Sequence, residues 1–360
     1  MPKRPARGGV GERAAKRPRQ RRLYLVTEDW KEGYSIYEVD LTDDHGATDA
    51  DFDSDEQEPR RLPSPVLRLE APHNGPWHFA AAFGTKIMAL HLTPWRYTPV
   101  FDVQTRCLTF GPPTEITTIP IHVPVGDSLF KLGFRKFHVL RPAPPRSEVL
   151  WCKVPEEWSW HCLTPPPFGD HRVTSHAVHP DGRTLFVTVK VKGRDIGHTF
   201  TCDTGVDTDD PEWTAHREWE LPFKGHGHYD HRLDAWVGLT DDPATVGHIC
   251  CCRVPSLDDA RWPAPAWKLS REKLFCRDPT EMHTGASLVY LGTGHKSRFC
   301  LVECLSRGSR HQLRLTTFSL RYHKNGDLGI SKRRWVRSFK LPKTRGKDSG
   351  FLKNPVAFWL

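Results

Sequence analysis

Several features that identify membrane, secreted or zinc-binding proteins are missing from this sequence of 360 residues. No apolar run approaches the roughly 18 residues of a membrane span, and no N-terminal apolar stretch resembles a signal peptide. The ten cysteines include no Cys-x-x-Cys pair, the usual spacing of zinc ligands. These absences favour a soluble intracellular protein whose cysteines are free and fill tight space in the core.

Recognisable catalytic motifs are missing as well. The sequence has no nucleophile elbow Gly-x-Ser-x-Gly, no phosphate-binding Gly-rich loop and no His-Glu-x-x-His pair. Long stretches of helical periodicity are also missing, so a helical F-box is not expected and an all-β fold is favoured.

What the sequence contains is a pattern that recurs about every 45 to 60 residues. Each repeat has two short apolar runs around a turn, a further strand with Trp or Phe, and a Leu-Pro or Pro-Pro exit. Gly84, Gly126 and Gly182 tolerate the positive φ that tight hairpins need. Repeats of about 50 residues, each long enough for four short strands, are typical of β-propeller blades.

A sixth repeat is split between the two ends of the chain. Residues 23–41 and 65–72 supply three strands, and the apolar segment PVAFWL (355–360) supplies one more. We therefore predict one all-β domain over 21–360, a single β-propeller of about six four-stranded blades. Pairing the C-terminal strand with the N-terminal strands would close the ring and remove both sheet edges. In the third complete hairpin, alternation over 185–189 predicts a strand with one buried face.

Segments along nearly the whole chain carry a family resemblance, among them LYLVTEDWKEGYSIYEVDL, AVHPDGRTLFVTV and PVAFWL. Through them the sequence resembles a plant family, known mainly from grasses, of unknown function and kelch-like architecture. The resemblance implies a propeller but no reaction and no catalytic residues. Kelch blades carry Gly-Gly after the first strand, whereas the only Gly-Gly here is Gly8-Gly9, so actin binding is not implied.

Positive charge is concentrated at the N-terminus. The net charge is +9, and residues 1–22 hold nine Lys and Arg against Glu12 alone. We predict a disordered basic tail over 1–20, with nucleic-acid contacts limited to nonspecific ones by this tail. Its two basic clusters, separated by a Pro- and Gly-rich spacer, have the form of a bipartite nuclear-import signal that binds an import receptor. The residues of this candidate signal are Lys3, Arg4, Lys16, Arg17, Arg19, Arg21 and Arg22. The alternatives are a solvated tail without this function and, less favoured because Ser is scarce, a plastid transit peptide.

A disordered acidic loop is predicted inside the first blade, at about 42–60. A calcium-binding EF-hand is excluded there, because Ser54 occupies the Gly position and Arg60 that of the closing Glu. Ser54, followed by Asp55 and Glu56, is a candidate phosphorylation site. A solvated loop that folds back on the basic tail is the alternative.

One cluster has the residue types of catalysis, and we interpret it as a candidate binding loop formed by His226, His228, Asp230 and His231. His228 and Asp230 could contribute to the facial triad of a non-haem iron enzyme, but no third ligand can be identified. We therefore predict no metal, no cofactor and no catalytic residue. The glycines of the cluster favour a turn, so histidines in a solvated turn are the alternative.

The favoured function is a noncatalytic, monomeric protein-interaction module, a kelch-like scaffold for an unknown protein partner in the nucleus or cytoplasm. Blade-connecting loops and the channel entrance would bind the partner. The alternative is an enzyme that uses the channel, a metal-dependent oxidase or hydrolase. That chemistry needs titratable groups on the inner strands, and the predicted inner strands FAAAF, ASLVYL and PVAFWL are mostly apolar.

Overall fold

The computed structural model describes most of the chain from residue 21 onwards. The described residues are 21–30, 33–41, 58–71, 77–91, 97–114, 120–133, 135–143, 158–169, 171–190, 197–205, 211–216, 219–240, 242–258, 263–275, 278, 280–292, 296–308, 310–331, 335–342 and 350–360. They form short strands and a single short helix, α1 (Gly350–Lys353). None of the described residues belongs to a helix long and apolar enough to cross a membrane.

The described residues form 26 strands. In chain order they are β1 (Leu23–Trp30), β2 (Gly33–Val39), β3 (Arg60–Arg61), β4 (Leu67–Glu70), β5 (Trp77–Ala82), β6 (Lys86–His91), β7 (Thr98–Asp102), β8 (Cys107–Gly111), β9 (Ile121–Val125), β10 (Ser128–Gly133), β11 (Lys136–Leu140), β12 (His161–Leu163), β13 (Arg172–Val178), β14 (Thr184–Lys190), β15 (Gly197–Asp203), β16 (Trp213–His216), β17 (Lys224–Asp230), β18 (Ala235–Leu239), β19 (Ile249–Arg253), β20 (Trp267–Leu269), β21 (Met282–Tyr290), β22 (Ser297–Arg307), β23 (Arg310–Tyr322), β24 (Leu328–Ile330), β25 (Trp335–Lys340) and β26 (Val356–Trp359).

Antiparallel pairing groups 24 of these strands into six blades of four, while β3 and β24 pair at the side of blade six. Blade one is β26-β1-β2-β4, blades two to five are β5–β8, β9–β12, β13–β16 and β17–β20, and blade six is β21-β22-β23-β25. The predicted hairpin turns are confirmed, because Gly84, Gly126 and Gly182 have φ angles of 72°, 56° and 75°. The first strand of each of blades two to six is its inner strand, and contacts at the centre of the ring join β5 to β9, β13 to β17 and β21 to β26.

The C-terminal strand completes blade one, as predicted. β26 pairs with β1, with Leu23 opposite Trp359 and Val26 opposite Val356. The backbone N–H of Arg22 donates to the carbonyl of Leu360 at 2.8 Å, and the N–H of Leu360 donates back at 3.1 Å. Since β26 also contacts the inner strand β21, it is the inner strand of blade one.

Packing closes the ring. Six clusters of buried apolar side chains lie between the six pairs of adjacent blades, including the pair formed by blades six and one. Leu25 of β1 packs with Leu315 of blade six, while the next residue, Val26, packs with Ile87 of blade two. Successive residues of a strand point to opposite faces, so each blade is buried on both faces.

The prediction of one buried face for the third complete hairpin is therefore wrong. In β14, Leu185 faces blade three and Phe186 faces blade five, and both are fully buried. Thr188 is buried too, and its hydroxyl lies 2.9 Å from that of Thr199. Polar residues in such a strand satisfy each other across the sheet instead of facing water.

The segment between β2 and β4 reaches the neighbouring blade. β3 pairs in parallel with β25, so a piece of chain from blade one lies at the outer edge of blade six. The predicted C-terminal boundary of the acidic loop, at about residue 60, therefore overlaps β3, which begins at Arg60. Residues 42–57, with the candidate phosphorylation site Ser54, and the basic tail over 1–20 lie outside the described residues.

The buried cysteines are free, as predicted, and most of the described ones fill space between blades. Cys251 lies in the cluster between blades five and six, and Cys252 in the cluster between blades four and five. Burial raises the pKa of the Cys252 thiol to about 12. Cys107 and Cys162 are exposed and do not follow this prediction. Two further cysteines lie outside the described residues: Cys152 and Cys276.

Candidate functional site

Each inner strand of blades two to six carries a histidine, so imidazoles gather around the centre of the ring. These residues are His78 in β5, His122 in β9, His176 in β13, His226 and His228 in β17, and His283 in β21. The expectation of mostly apolar inner strands missed them, because it considered the apolar runs and not their neighbours. The available signal was a histidine in the first strand of five consecutive repeats.

Three of these residues form a continuous row across blades four and five, which we name the histidine row (His176, His226 and His228). The inner strands β13 and β17 pair in parallel, with His176 opposite His226, and this joins blades four and five into one eight-stranded sheet. The rings of His176 and His226 are stacked, 5.0 Å apart, and the rings of His226 and His228 are 4.3 Å apart. Nε2 of His228 lies 2.8 Å from the carbonyl oxygen of Leu288 in blade six.

The alternation of glycine and histidine in β17 explains the position of the row. A Cβ at Gly227 would clash with the ring of Phe223, so a residue without a side chain is favoured on that face. The histidines, two residues apart, consequently point to the other face. The interpretation of this cluster as a loop or turn is therefore wrong for His226, His228 and Asp230, which lie in β17, and only His231 belongs to the following turn.

The imidazoles of the row are held in their neutral form, although by surface area His226 is exposed and His176 and His228 are half-buried. Desolvation, followed by the repulsion of His228, lowers the pKa of His176 to about 4. Desolvation lowers the pKa of His228 to about 4 as well, although the hydrogen bond to Leu288 opposes the shift. The pKa of His226 is lowered as well, by desolvation inside the ring and by the repulsion of His228 and His176. At neutral pH the row can exchange hydrogen bonds without adding charge.

The structure does not bring Asp230 together with the histidine row. Its Oδ1 accepts hydrogen bonds from the backbone N–H groups of Arg232 and Leu233 and from the Ser297 hydroxyl at 2.8 Å. Asp230 thus holds the turn after β17. Within the part of the chain that the structure describes, no three His, Cys, Asp or Glu side chains are placed to hold a metal ion.

Of the candidate import signal, the structure describes Arg21 and Arg22, and Arg22 takes part in ring closure. Arg22 forms an ion pair with Asp40 and lies 3.9 Å from Glu38, besides its backbone pairing with Leu360. Arg21 is exposed. The other residues of the candidate import signal lie outside the described residues: Lys3, Arg4, Lys16, Arg17 and Arg19.

An apolar patch lies on the outer strand of blade two. Leu108 and Phe110 of β8 are 43% and 65% exposed, and Tyr97 is 61% exposed, with its ring 6.1 Å from that of Phe110. We name these three residues the blade-two patch. The outer edge of β8 pairs with no other strand among the described residues. Large exposed side chains beside a free strand edge are typical of a surface that binds another chain.

Six four-stranded blades around a centre, with a C-terminal strand that completes the first blade, define this protein as a β-propeller. Within that class, the chain belongs to the family described as Protein of unknown function (DUF1668), which matches residues 20–339. No curated protein matches the sequence.

Solved structures with a likeness to the chain include other propellers. The β-propeller domain of Cps50 (Swd1) from Myceliophteria thermophila is 11% identical, with a TM-score of 0.39, and the match covers 89% of this chain and 84% of that one. A structural genomics protein of unknown function from Bacteroides thetaiotaomicron is 12% identical, with a TM-score of 0.37 and coverages of 81% and 76%. The WD40 domain of SCAP from fission yeast is 8% identical, with a TM-score of 0.30 and coverages of 87% and 73%.

Proposed function

We propose that this protein is a noncatalytic interaction module whose propeller binds a protein partner through the blade-two patch. The exposure of Leu108, Phe110 and Tyr97 is the observation that supports this function. An extended segment of a partner can pair with the free edge of β8 while its side chains cover the exposed rings. Aromatic anchors of this kind supply most of the binding energy in protein interfaces.

Proximity labelling in cells tests the proposal with two matched double variants. Leu108→Ser with Phe110→Ser removes the patch, and Trp267→Ser with Met282→Ser removes two other exposed apolar side chains elsewhere. Because all four residues are exposed, both variants should keep the thermal midpoint of the wild type. We expect partners labelled by the wild type and the control to lose at least about tenfold of their signal in the patch variant. Equal labelling by both variants would contradict the proposal.

An enzyme that works in the channel is the second candidate function, and the histidine row is the observation that favours it. Neutral imidazoles stacked at 5.0 Å can accept or donate protons in a reaction. The test replaces all three residues of the row with Gln and compares metal content and turnover of general hydrolase and oxidase substrates. Turnover by the wild type that the variant lacks would establish the enzyme, and no turnover by either would leave the interaction module.

The proposal also covers the cellular location of the protein, the type of its blades and its oligomeric state. We infer that the basic tail carries the protein into the nucleus by binding an import receptor, on the basis of its two basic clusters. We also infer a kelch-like blade type and a plant origin from the sequence segments named above, and a monomer from the closed ring. Ser54 is the proposed phosphorylation site of the acidic loop.

A further inference from the structure

A row of nitrogen-bearing side chains crosses one face of blade three. His122 of β9, Lys131 of β10 and His138 of β11 lie opposite one another in strand register. Leu129 lies two residues before Lys131, on the same face, and belongs to the apolar cluster shared with blade two. The row is therefore turned towards blade two, inside the interface between the two blades.

Lys131 and two aromatic residues meet in this interface. Lys131 is only 2% exposed, and its Nζ lies 4.8 Å from the centre of the Trp160 ring. The Trp160 ring is 6.3 Å from the ring of His122. His78, on the inner strand of blade two, is close enough to act electrostatically on His122. We name these four residues the blade two–three cluster.

Three residues of the cluster hold buried nitrogen atoms without a hydrogen bond among the described residues. These atoms are Nε2 of His78, Nε2 of His122 and Nε1 of Trp160. Buried polar atoms in native proteins are almost always satisfied, and an unsatisfied one indicates a water, an ion or a ligand at that place. Because these three residues are neighbours in one interface, a single guest that bonds to all of them is the simplest explanation.

The charge and the donors of the cluster select the chemistry of that guest. Desolvation, then His78 and then Lys131, lower the pKa of His122 to about 3, so the His122 imidazole is neutral and the only charge in the cluster is that of Lys131. Burial lowers the pKa of His78 too. An indole and an ammonium group can only donate hydrogen bonds, and a neutral imidazole can donate through Nε2. A guest that accepts hydrogen bonds and is negatively charged therefore fits, whereas a cation does not.

We propose that the blade two–three cluster binds a small oxyanion, a phosphate or carboxylate group, beside the inner strands of blades two and three. Lys131 supplies the charge, and His78, His122 and Trp160 donate to the oxygen atoms. The site lies between blades, apart from the blade-two patch on the outer strand, so it does not depend on the proposed interaction function.

The thermal midpoint of the full chain, measured in three salts of matched ionic strength, tests the proposal. Sodium phosphate and sodium acetate represent the two sources of oxyanion, and sodium chloride controls for screening. We expect about 50 mM of the bound oxyanion to raise the midpoint by at least about 2 °C beyond the effect of chloride. A shift with phosphate alone identifies a phosphate site, and a shift with acetate alone or with both identifies a site that accepts carboxylates. Equal midpoints in all three salts would overturn the proposal.

Two lysine variants locate the effect. Lys131→Met is expected to fold, since a buried charge is exchanged for an apolar side chain of similar volume, and to lose the oxyanion shift. Lys268→Met is the matched control, because Lys268 also lies over an aromatic ring, that of Tyr322 at 5.9 Å, but in blade five. It should keep the shift. If Lys131→Met does not fold, His122→Gln is measured instead and should at least halve the shift. The proposal is refuted if the folded cluster variant keeps the full oxyanion-dependent rise of the thermal midpoint. It is also refuted if Lys268→Met loses as much of that rise as the cluster variant does.

Discussion

Deleting residues 355–360 should open the ring, because β26 belongs to two blade interfaces at once. Trp359 packs in the cluster between blades six and one, and Val356, Phe358 and Leu360 pack in the cluster between blades one and two. A large apolar side chain contributes about 1.5–3 kcal/mol when fully buried, so four half-buried ones contribute about 3–6 kcal/mol together. That is a large share of a total stability of about 5–15 kcal/mol. The deletion also leaves the edge of β1 without its partner.

Thermal unfolding followed by circular dichroism, together with size-exclusion chromatography, measures the effect. We expect the shortened chain to aggregate, or to melt at least roughly 5 °C below the intact protein. A matched pair of point variants separates packing from strand pairing. Phe358→Ala, in β26, should cost about 1–3 kcal/mol. Phe110→Ala, at an exposed position, should change stability by no more than about 0.5 kcal/mol. A shortened chain that stays monomeric with an unchanged midpoint would refute closure by β26.

Three further outcomes follow from the structure and the sequence. Trp236 is fully buried and donates from its indole to the carbonyl of Val178 in the neighbouring blade at 2.8 Å. In chemical denaturation, Trp236→Ala should therefore cost about 3–5 kcal/mol, and Trp267→Ala, at a 51% exposed position, no more than about 0.5 kcal/mol. Because the folded pKa values of His176 and His228 are about 4, the unfolded chain binds protons first below about pH 6.5. Stability should thus fall from about pH 6.5 towards pH 4, by at most about 1.4 kcal/mol per histidine for each pH unit, and Gln at both positions should flatten this dependence. A fluorescent reporter fused to the basic tail should enter the nucleus, and alanine in its second basic cluster should abolish entry. Equal nuclear and cytoplasmic signals in both fusions would contradict the import signal.

Local sequence patterns do not predict the arrangement of the histidine row. The spacing of His226 and His228 was visible in the sequence, but their glycines were interpreted as turn residues. Only the ring of Phe223, packed against Gly227, shows that a strand needs a residue without a side chain there. The pairing of β13 with β17, which brings His176 to the row, joins strands of different repeats. No local preference specifies such a contact.

The number of blades, the hairpins and the role of the last strand are readable from the amino-acid sequence. Positive φ at Gly84 and the paired apolar runs of each hairpin depend on residues close in the chain, and the split repeat is recognisable because both of its parts have the strand pattern of the complete repeats. The tertiary structure alone decided which side chains meet between blades. The stacked histidine row and the buried Lys131 beside Trp160 depend on which face each strand turns to its neighbour. Since every blade is sandwiched between two others, both faces of its strands are buried, and polar residues that look solvated in the sequence become interior groups with a shifted pKa or an unsatisfied nitrogen.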